Sequence, residues 1–234
     1  MKTKTVRRLR WLHRSLGLLL LVQLLFWVGG GLIMSLLQID AVRGSDRAAS
    51  AQSPDLSRDA AQLLALAEVL EPYDGKLTGA ELRSLLGEPA WHLRYPDRQL
   101  LVDARSGKLL SPISEAQARE LAAADLSVPA QIIEARWQET PSTEIRGREL
   151  PLWRIQFDDD RDTTIYISAT TGAVVARRNC LWRIFDVLWM LHIMDYSERE
   201  SFNHPLLQIS AATALAFVLS GLLMLVVRWR RGMS

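Results

Sequence analysis

Of the four histidines in this 234-residue chain, three stand at the borders of long apolar runs. His13 precedes the first run, His192 lies near the end of the apolar stretch 181–194, and His204 opens the second run. A neutral imidazole ligates metals, and ionisable groups at membrane depth are costly and often functional. The plainer account of each is an amphipathic tip reaching the headgroups. His204 stands between Asn203, expected as a helix N-cap, and Pro205, expected in the first helical turn. The positive end of a helix dipole there disfavours imidazolium and leaves the ring able to bind a metal. Counting by fours from His204 reaches Gln208, Ala212, Ala216 and Ser220. Such a row of small or polar residues permits close helix contact or leaves room for a flat ligand. His92 falls in an alternating strand, Trp91 to Tyr95, and is expected at the surface.

Other candidates are weaker. Arg183 and Asp186, three apart on one helix, are expected to pair with each other. Asp158, Asp159, Asp160 and Asp162 offer hard oxygen ligands suited to ferric iron, or simply form a solvated hairpin turn. The single cysteine, Cys180, excludes an internal disulfide and reads as a buried small hydrophobe. The chain has no glycine-rich dinucleotide or phosphate loop, no CxxC and no nucleophile–base constellation.

These residues are positioned by a strongly segregated chain. Ser15 to Ile39 and Ser201 to Val227 contain no Asp, Glu, Lys or Arg. At about 1.5 Å of rise per residue either run crosses a hydrocarbon core of about 30 Å as a helix. The termini carry nine bases and no acid, leaving nineteen bases against twenty-six acids between the runs. Cationic flanks stay in the cytoplasm, so both ends are expected inside and the middle exported, with Trp11 and Trp229 as interfacial anchors. The first run is too long for a cleaved signal peptide and lacks a small-x-small site, so it reads as a permanent anchor. The expected organisation is a basic cytoplasmic segment (1–14), a first transmembrane helix (15–39), an exported α+β domain (40–180), a juxtamembrane amphipathic helix and turn (181–200), a second transmembrane helix (201–228) and a cytoplasmic tail (229–234). Cytoplasmic segments this short cannot bind a flavin or nicotinamide, so electrons crossing the protein would come from a quinol or a separate donor.

Within the middle segment, residues 41–60 are small and polar and read as a linker. Leu63 to Leu70 has helical spacing, and Leu82, Leu85 and Leu86 suggest a second short helix. Trp91 to Tyr95 and Leu100 to Asp103 alternate as strands around Pro96-Asp97, with a turn at Ser106-Gly107. The pattern then recurs. Ser114 and Gln117 form a capping-box signature before a helix, Ile132 to Trp137 reads as a strand, and Trp153 to Phe157 pairs across the acidic turn with Thr164 to Ile167. Thr171-Gly172 turns into Ala173 to Val175. This is a weak internal duplication of short helices on antiparallel hairpins.

The stretch Leu150-Pro151-Leu152-Trp153-Arg154-Ile155 through Ile167-Ser168-Ala169-Thr170-Thr171-Gly172-Ala173-Val174-Val175 resembles a PepSY domain. Leu181 to Tyr196, Asn203-His204-Pro205-Leu206-Leu207 and Arg8 to Arg14 are similar to the membrane-proximal parts of PepSY-type transmembrane proteins. That family includes iron-regulated inner-membrane proteins of bacteria and haem-containing ferric reductases. The resemblance therefore implies haem b ligated by His192, His204 and His13, with Arg183 near a propionate, and electron transfer to ferric iron or a ferric chelate. A ferrous iron transporter is an implied partner. Larger relatives have four or more membrane helices against two here, so a homodimer would rebuild the bundle. His13 lies across the bilayer from the other two, so His192 and His204 could share one haem while His13 would need a partner from another subunit. The alternatives are a membrane-anchored PepSY module that binds a protein or peptide, and an accessory subunit of a transporter, both without redox chemistry.

Overall fold

The computed structural model describes residues 3–50, 62–201 and 203–232. The chain divides into two compact units, one formed by residues 1–38 and 183–234 and the other by Ile39–Trp182.

The helical unit is built on α1 (Thr3–Leu36) and α6 (Pro205–Gly232), which flank the α+β unit in sequence. Both are long and apolar enough to cross a membrane, over Val6–Leu36 and Pro205–Arg230. α1 runs unbroken through Gly29 to Gly31. The two helices pack antiparallel, since a Cβ on Gly17 would lie 2.8 Å from the Phe217 ring and one on Gly221 would lie 3.1 Å from the His13 ring. Each helix thus sets an aromatic ring over a glycine of the other, four residues from its own glycine. Missing side chains at these glycines let the two backbones approach closely. The inward stripe of α6 includes Phe217, Ser220 and Gly221, whereas Gln208, Ala212 and Ala216 are exposed. A row counted by fours drifts about 40° per step on a helix of 3.6 residues per turn, so only its last member, Ser220, reaches the buried face.

The α+β unit opens with α2 (Ile39–Arg43) and a 3-10 turn, Ser45–Arg47. Residues 41–49, expected as linker, are instead ordered. Ala41 and Val42 are buried, Asn179 Nδ2 donates to the Ala41 carbonyl at 2.8 Å, and Ala48 bridges to Leu126. The rest of the expected linker lies largely outside the described residues. α3 (Leu66–Leu70) precedes a three-stranded antiparallel sheet, β1 (Gly79–Leu85), β2 (Glu88–Arg94) and β3 (Gln99–Asp103). The helix expected around Leu82 to Leu86 is therefore β1 and its turn. Leu86 and Gly87 both take positive φ, 54° and 89°, the two-residue hairpin geometry that matches strand twist. Pairing with Trp91 and its neighbours outweighs the helical spacing of three leucines.

The second half repeats the order. α4 (Glu115–Asp125) starts at Ser114, whose Oγ accepts from Gln117 N, while Gln117 Oε1 accepts from Ser114 N at 2.9 Å. It precedes a four-stranded antiparallel sheet, β4 (Gln131–Gln138), β5 (Leu152–Asp158), β6 (Thr164–Ser168) and β7 (Val174–Arg178). Ala118 and Ala122 of α4 meet Ile155, Phe157, Ile165 and Ile167 in one core, joined by Leu85, Ala90 and Leu101 of the first sheet. Each large apolar side chain in that core contributes roughly 1.5–3 kcal/mol through burial. Gly172 has φ 67°, and a Cβ there would come 2.6 Å from Leu85 Cδ1, so this turn needs glycine twice over. A second cluster seats Val69 of α3 on Leu93, Tyr95 and Val102.

Candidate functional site

The last helix before α6 is α5 (Cys180–Ile193). Asn179 caps it, its Oδ1 accepting from Trp182 N at 2.8 Å. Cys180, expected as buried, is half-buried as the first residue of this helix. The other end of α5 is held from α1. Trp27 Nε1 donates to the His192 carbonyl at 2.7 Å, and Gln23 Nε2 donates to the Leu191 carbonyl at 3.2 Å. These are carbonyls that a helix C-terminus leaves without intrahelical partners. Met194 then turns out of the helix at φ 59°.

His192 is partly buried, and its ring lies near Gly31, where a Cβ would sit 3.8 Å from Cε1. Its Nδ1 is buried with no hydrogen-bond partner. Such an orphaned polar atom costs stability unless something unseen completes it.

The connection after α5 is organised by Asp195. Its Oδ1 accepts from Ser197 N, Ser197 Oγ and Glu198 N at 3.0–3.2 Å, and its Oδ2 from Glu200 N and Ser201 N at 3.1 Å. The amide of Ser201 and its neighbours hold this carboxyl well below the usual carboxylate range. Asp186 also forms a salt bridge with Arg199 in this same connection. The main chain of Arg199 also accepts from Trp189 Nε1 at 3.2 Å. Folding of the loop, which spacing along one helix does not encode, brings the two together.

His204, not Asn203, caps α6. Its Nδ1 accepts from Leu206 N at 3.3 Å and its carbonyl from Gln208 N at 3.1 Å, with Pro205 as the first helical residue. An accepting Nδ1 places the proton of a neutral ring on Nε2. His13 has the opposite arrangement. Its Nδ1 lies 2.8 Å from Ser220 Oγ, and that hydroxyl donates to the Phe217 carbonyl at 2.7 Å. The ring therefore donates from Nδ1, leaving the lone pair on Nε2. The eighteen residues from His13 to Gly31 put about 27 Å of helix between His13 and the His192 ring. Among the described residues, no hydrogen bond or ring contact joins these three histidines, and no group of three or more His, Cys, Asp or Glu is arranged to hold a metal ion.

His92, expected at the surface, is only 7% exposed. It sits on β2 with its Nε2 donating to Gln99 Oε1 at 2.7 Å, and Gln99 Nε2 donates to Glu149 Oε2 at 2.9 Å. Burial pushes its pKa down, opposed by the Gln99 hydrogen bond. Strand alternation placed it correctly on one face. That this face is covered depends on packing between the sheets. In the acidic turn Asp158, Asp160 and Asp162 are exposed, as expected of a solvated hairpin turn, but the Asp159 side chain is 3% exposed and bonded to Arg47 at 3.0 Å, while Asp160 pairs with the same guanidinium. Arg161 pairs with Asp46 at 2.7 Å. The turn is an ion-paired clasp onto the 3-10 turn Ser45–Arg47.

On the outer face of the second sheet, Arg136, Gln138, Ser142, Glu144, Arg154 and Tyr166 line a cavity of about 400 Å³. Tyr166 donates to Glu144 Oε2 at 2.8 Å, and burial, then Glu144, pushes its pKa up to about 12. β4 and β7 are the two edge strands of this sheet, and β4 is the one that borders the cavity.

The chain matches the family PepSY, described as "Peptidase propeptide and YPEB domain", over residues 112–178. That segment begins just before α4 and ends with β7, so the second helix-and-sheet repeat is a PepSY domain. The match starts well before the hairpin at residue 150 and stops short of α5. No curated protein and no solved structure matches.

Proposed function

We propose that this chain is a bacterial inner-membrane protein that binds haem b and passes electrons outward to reduce ferric iron in support of iron uptake. α1 and α6 span the bilayer, both termini are cytoplasmic and the PepSY domain is periplasmic. Large side chains on these helices that face outward, such as Leu18 at 76% and Val28 at 70% exposed, support this placement, as does the antiparallel pairing that puts both basic ends on one side.

The observation that carries the haem reading is His192, whose buried Nδ1 has no partner in a ring set beside Gly31. A haem would supply one-electron transfer between its two iron oxidation states, at a potential tuned by its ligands and their hydrogen bonds. The chain's own contribution is to hold the imidazoles. Trp27 and Gln23 fix the end of α5, Asp195 fixes the turn after it, and Ser220 keeps the His13 Nε2 lone pair available. His204 can ligate through Nε2 only by giving up its cap on Leu206. Arg183, on α5, remains the candidate for a propionate. Quinol or a separate protein would donate electrons, and a second copy would complete the bundle. Spectra of the full-length protein purified after expression with added haem, oxidised and then dithionite-reduced, test this. Sharp reduced bands lost in His192→Ala support it, and a featureless spectrum rejects it.

A second reading has its own observation, the edge strand β4 beside the cavity of about 400 Å³. An extended segment of a protein partner could add to that edge, making the chain a membrane-anchored binding module without redox chemistry. A featureless spectrum would favour it.

A further inference from the structure

A cavity of about 430 Å³ opens between α1 and α6 at the end where His13 lies, lined by Val6, Leu9, Arg10, Met224, Val227 and Arg228. Its apolar walls come from both helices, and Val6 is buried there. Its lining residues with polar side chains are Arg10 and Arg228, and no acid lines it. Arg10 and Arg228 are exposed and make no hydrogen bond or ion pair among the described residues. α1 and α6 contain no Asp or Glu. The acids of the helical unit, Asp186, Asp195, Glu198 and Glu200, all precede α6, and about 35 Å of helix separates Pro205 from Arg228. Among its described residues, the helical unit therefore supplies no side-chain counterion at this end of the helix pair. Apolar walls together with two lining cations suit an anionic amphiphile better than a simple salt ion.

We propose that this cavity is a binding site for an anionic glycerophospholipid, its phosphodiester between Arg10 and Arg228 and an acyl chain along Val6, Leu9, Met224 and Val227. Guanidiniums engage phosphate oxygens through two parallel N–H donors, and acidic lipids of a cytoplasmic leaflet meet basic residues at this depth. The proposal rests on the membrane reading above and is independent of haem.

The test is native mass spectrometry of the full-length protein in neutral detergent, with dioleoylphosphatidylglycerol or dioleoylphosphatidylcholine added at equal concentration. The wild type is expected to retain phosphatidylglycerol on the order of tenfold better. Arg10→Gln/Arg228→Gln should bring the two lipids to parity, and Arg10→Lys/Arg228→Lys should keep a preference. Arg7→Gln/Arg8→Gln removes the same charge from exposed residues outside the cavity and should leave selectivity intact. Equal retention by the wild type overturns the proposal. So does loss in the Arg7/Arg8 variant equal to that in the Arg10/Arg228 variant, which would mean diffuse attraction. Displacement of phosphatidylglycerol by millimolar inorganic phosphate would also overturn it, showing a site for the free anion. A cytoplasmic reporter result for the 41–49 segment would instead sink the membrane topology while leaving these lipid ratios readable.

Discussion

The His13 ring lies flat on Phe217, with centroids 4.3 Å apart and planes 8° from parallel. The same pair of residues covers the glycines that let α1 and α6 approach, His13 over Gly221 and Phe217 over Gly17. His13 is thus both a packing element of the helix pair and, through Ser220, an imidazole with a defined donor side.

Enlarging either glycine should break this arrangement. Gly221→Leu and Gly17→Leu should each weaken α1–α6 pairing by roughly 1–3 kcal/mol through overpacking. Ser220→Ala, which removes one interhelical hydrogen bond, should cost only about 0.6 kcal/mol. Unfolding titrations in mixed micelles measure both. Equal effects from all three would contradict the packing account.

The histidine roles separate by substitution. His192→Ala should remove the absorption bands of an outer haem, and His13→Ala should affect only an inner one. His204→Asn keeps an N-cap side chain but no imidazole, whereas His204→Ala loses both functions. Loss of bands in both variants assigns His204 as a ligand. Loss in the alanine variant alone assigns it as a cap. His92→Ala should leave the reduced spectrum intact.

His92 should make the α+β unit acid-sensitive. Its folded pKa is lowered by burial, so the unfolded chain takes up a proton that the fold resists. Its contribution is complete above about pH 6.5 and is lost as pH falls from there toward the folded value. The slope is at most about 1.4 kcal/mol per pH unit. Denaturant unfolding of the full chain at pH 7.5 and 5.5 should show this loss, and His92→Gln should flatten it. An unchanged slope would place the acid sensitivity elsewhere.

Arg47 should matter more than its place in a polar stretch suggests. Arg47→Ala leaves the buried Asp159 with Thr163 as its partner and should destabilise the domain by roughly 1.5–3 kcal/mol. Protease cleavage between residues 44 and 50 should accelerate. A variant as resistant as the wild type would mean that Ala41, Val42 and Asn179 hold this segment unaided.

Composition and periodicity alone settle the two apolar helices, the Ser114 capping box, the hairpins around Trp91 and Trp153 and the repetition of helix and antiparallel strands. Each depends on residues within one or two turns or one strand pair, and the apolar runs depend only on length and absent charge. What the sequence left open, or misread, involves partners far along the chain. Three leucines at helical spacing became β1 and its turn because β2 offered a strand to pair with, and a polar linker became ordered because Asp159 and Asn179 received it. Gln23, the lone amide deep in the first apolar run, was the available sign of the bond that ends α5, yet its acceptor at Leu191 is 168 residues away. The donor sides of His13 and His204 were equally hidden. Which ring nitrogen carries the proton is decided by a hydroxyl on another helix in one case and by the first turn of α6 in the other. Side-chain type names a possible ligand, but only the folded surroundings set its tautomer, burial and reach.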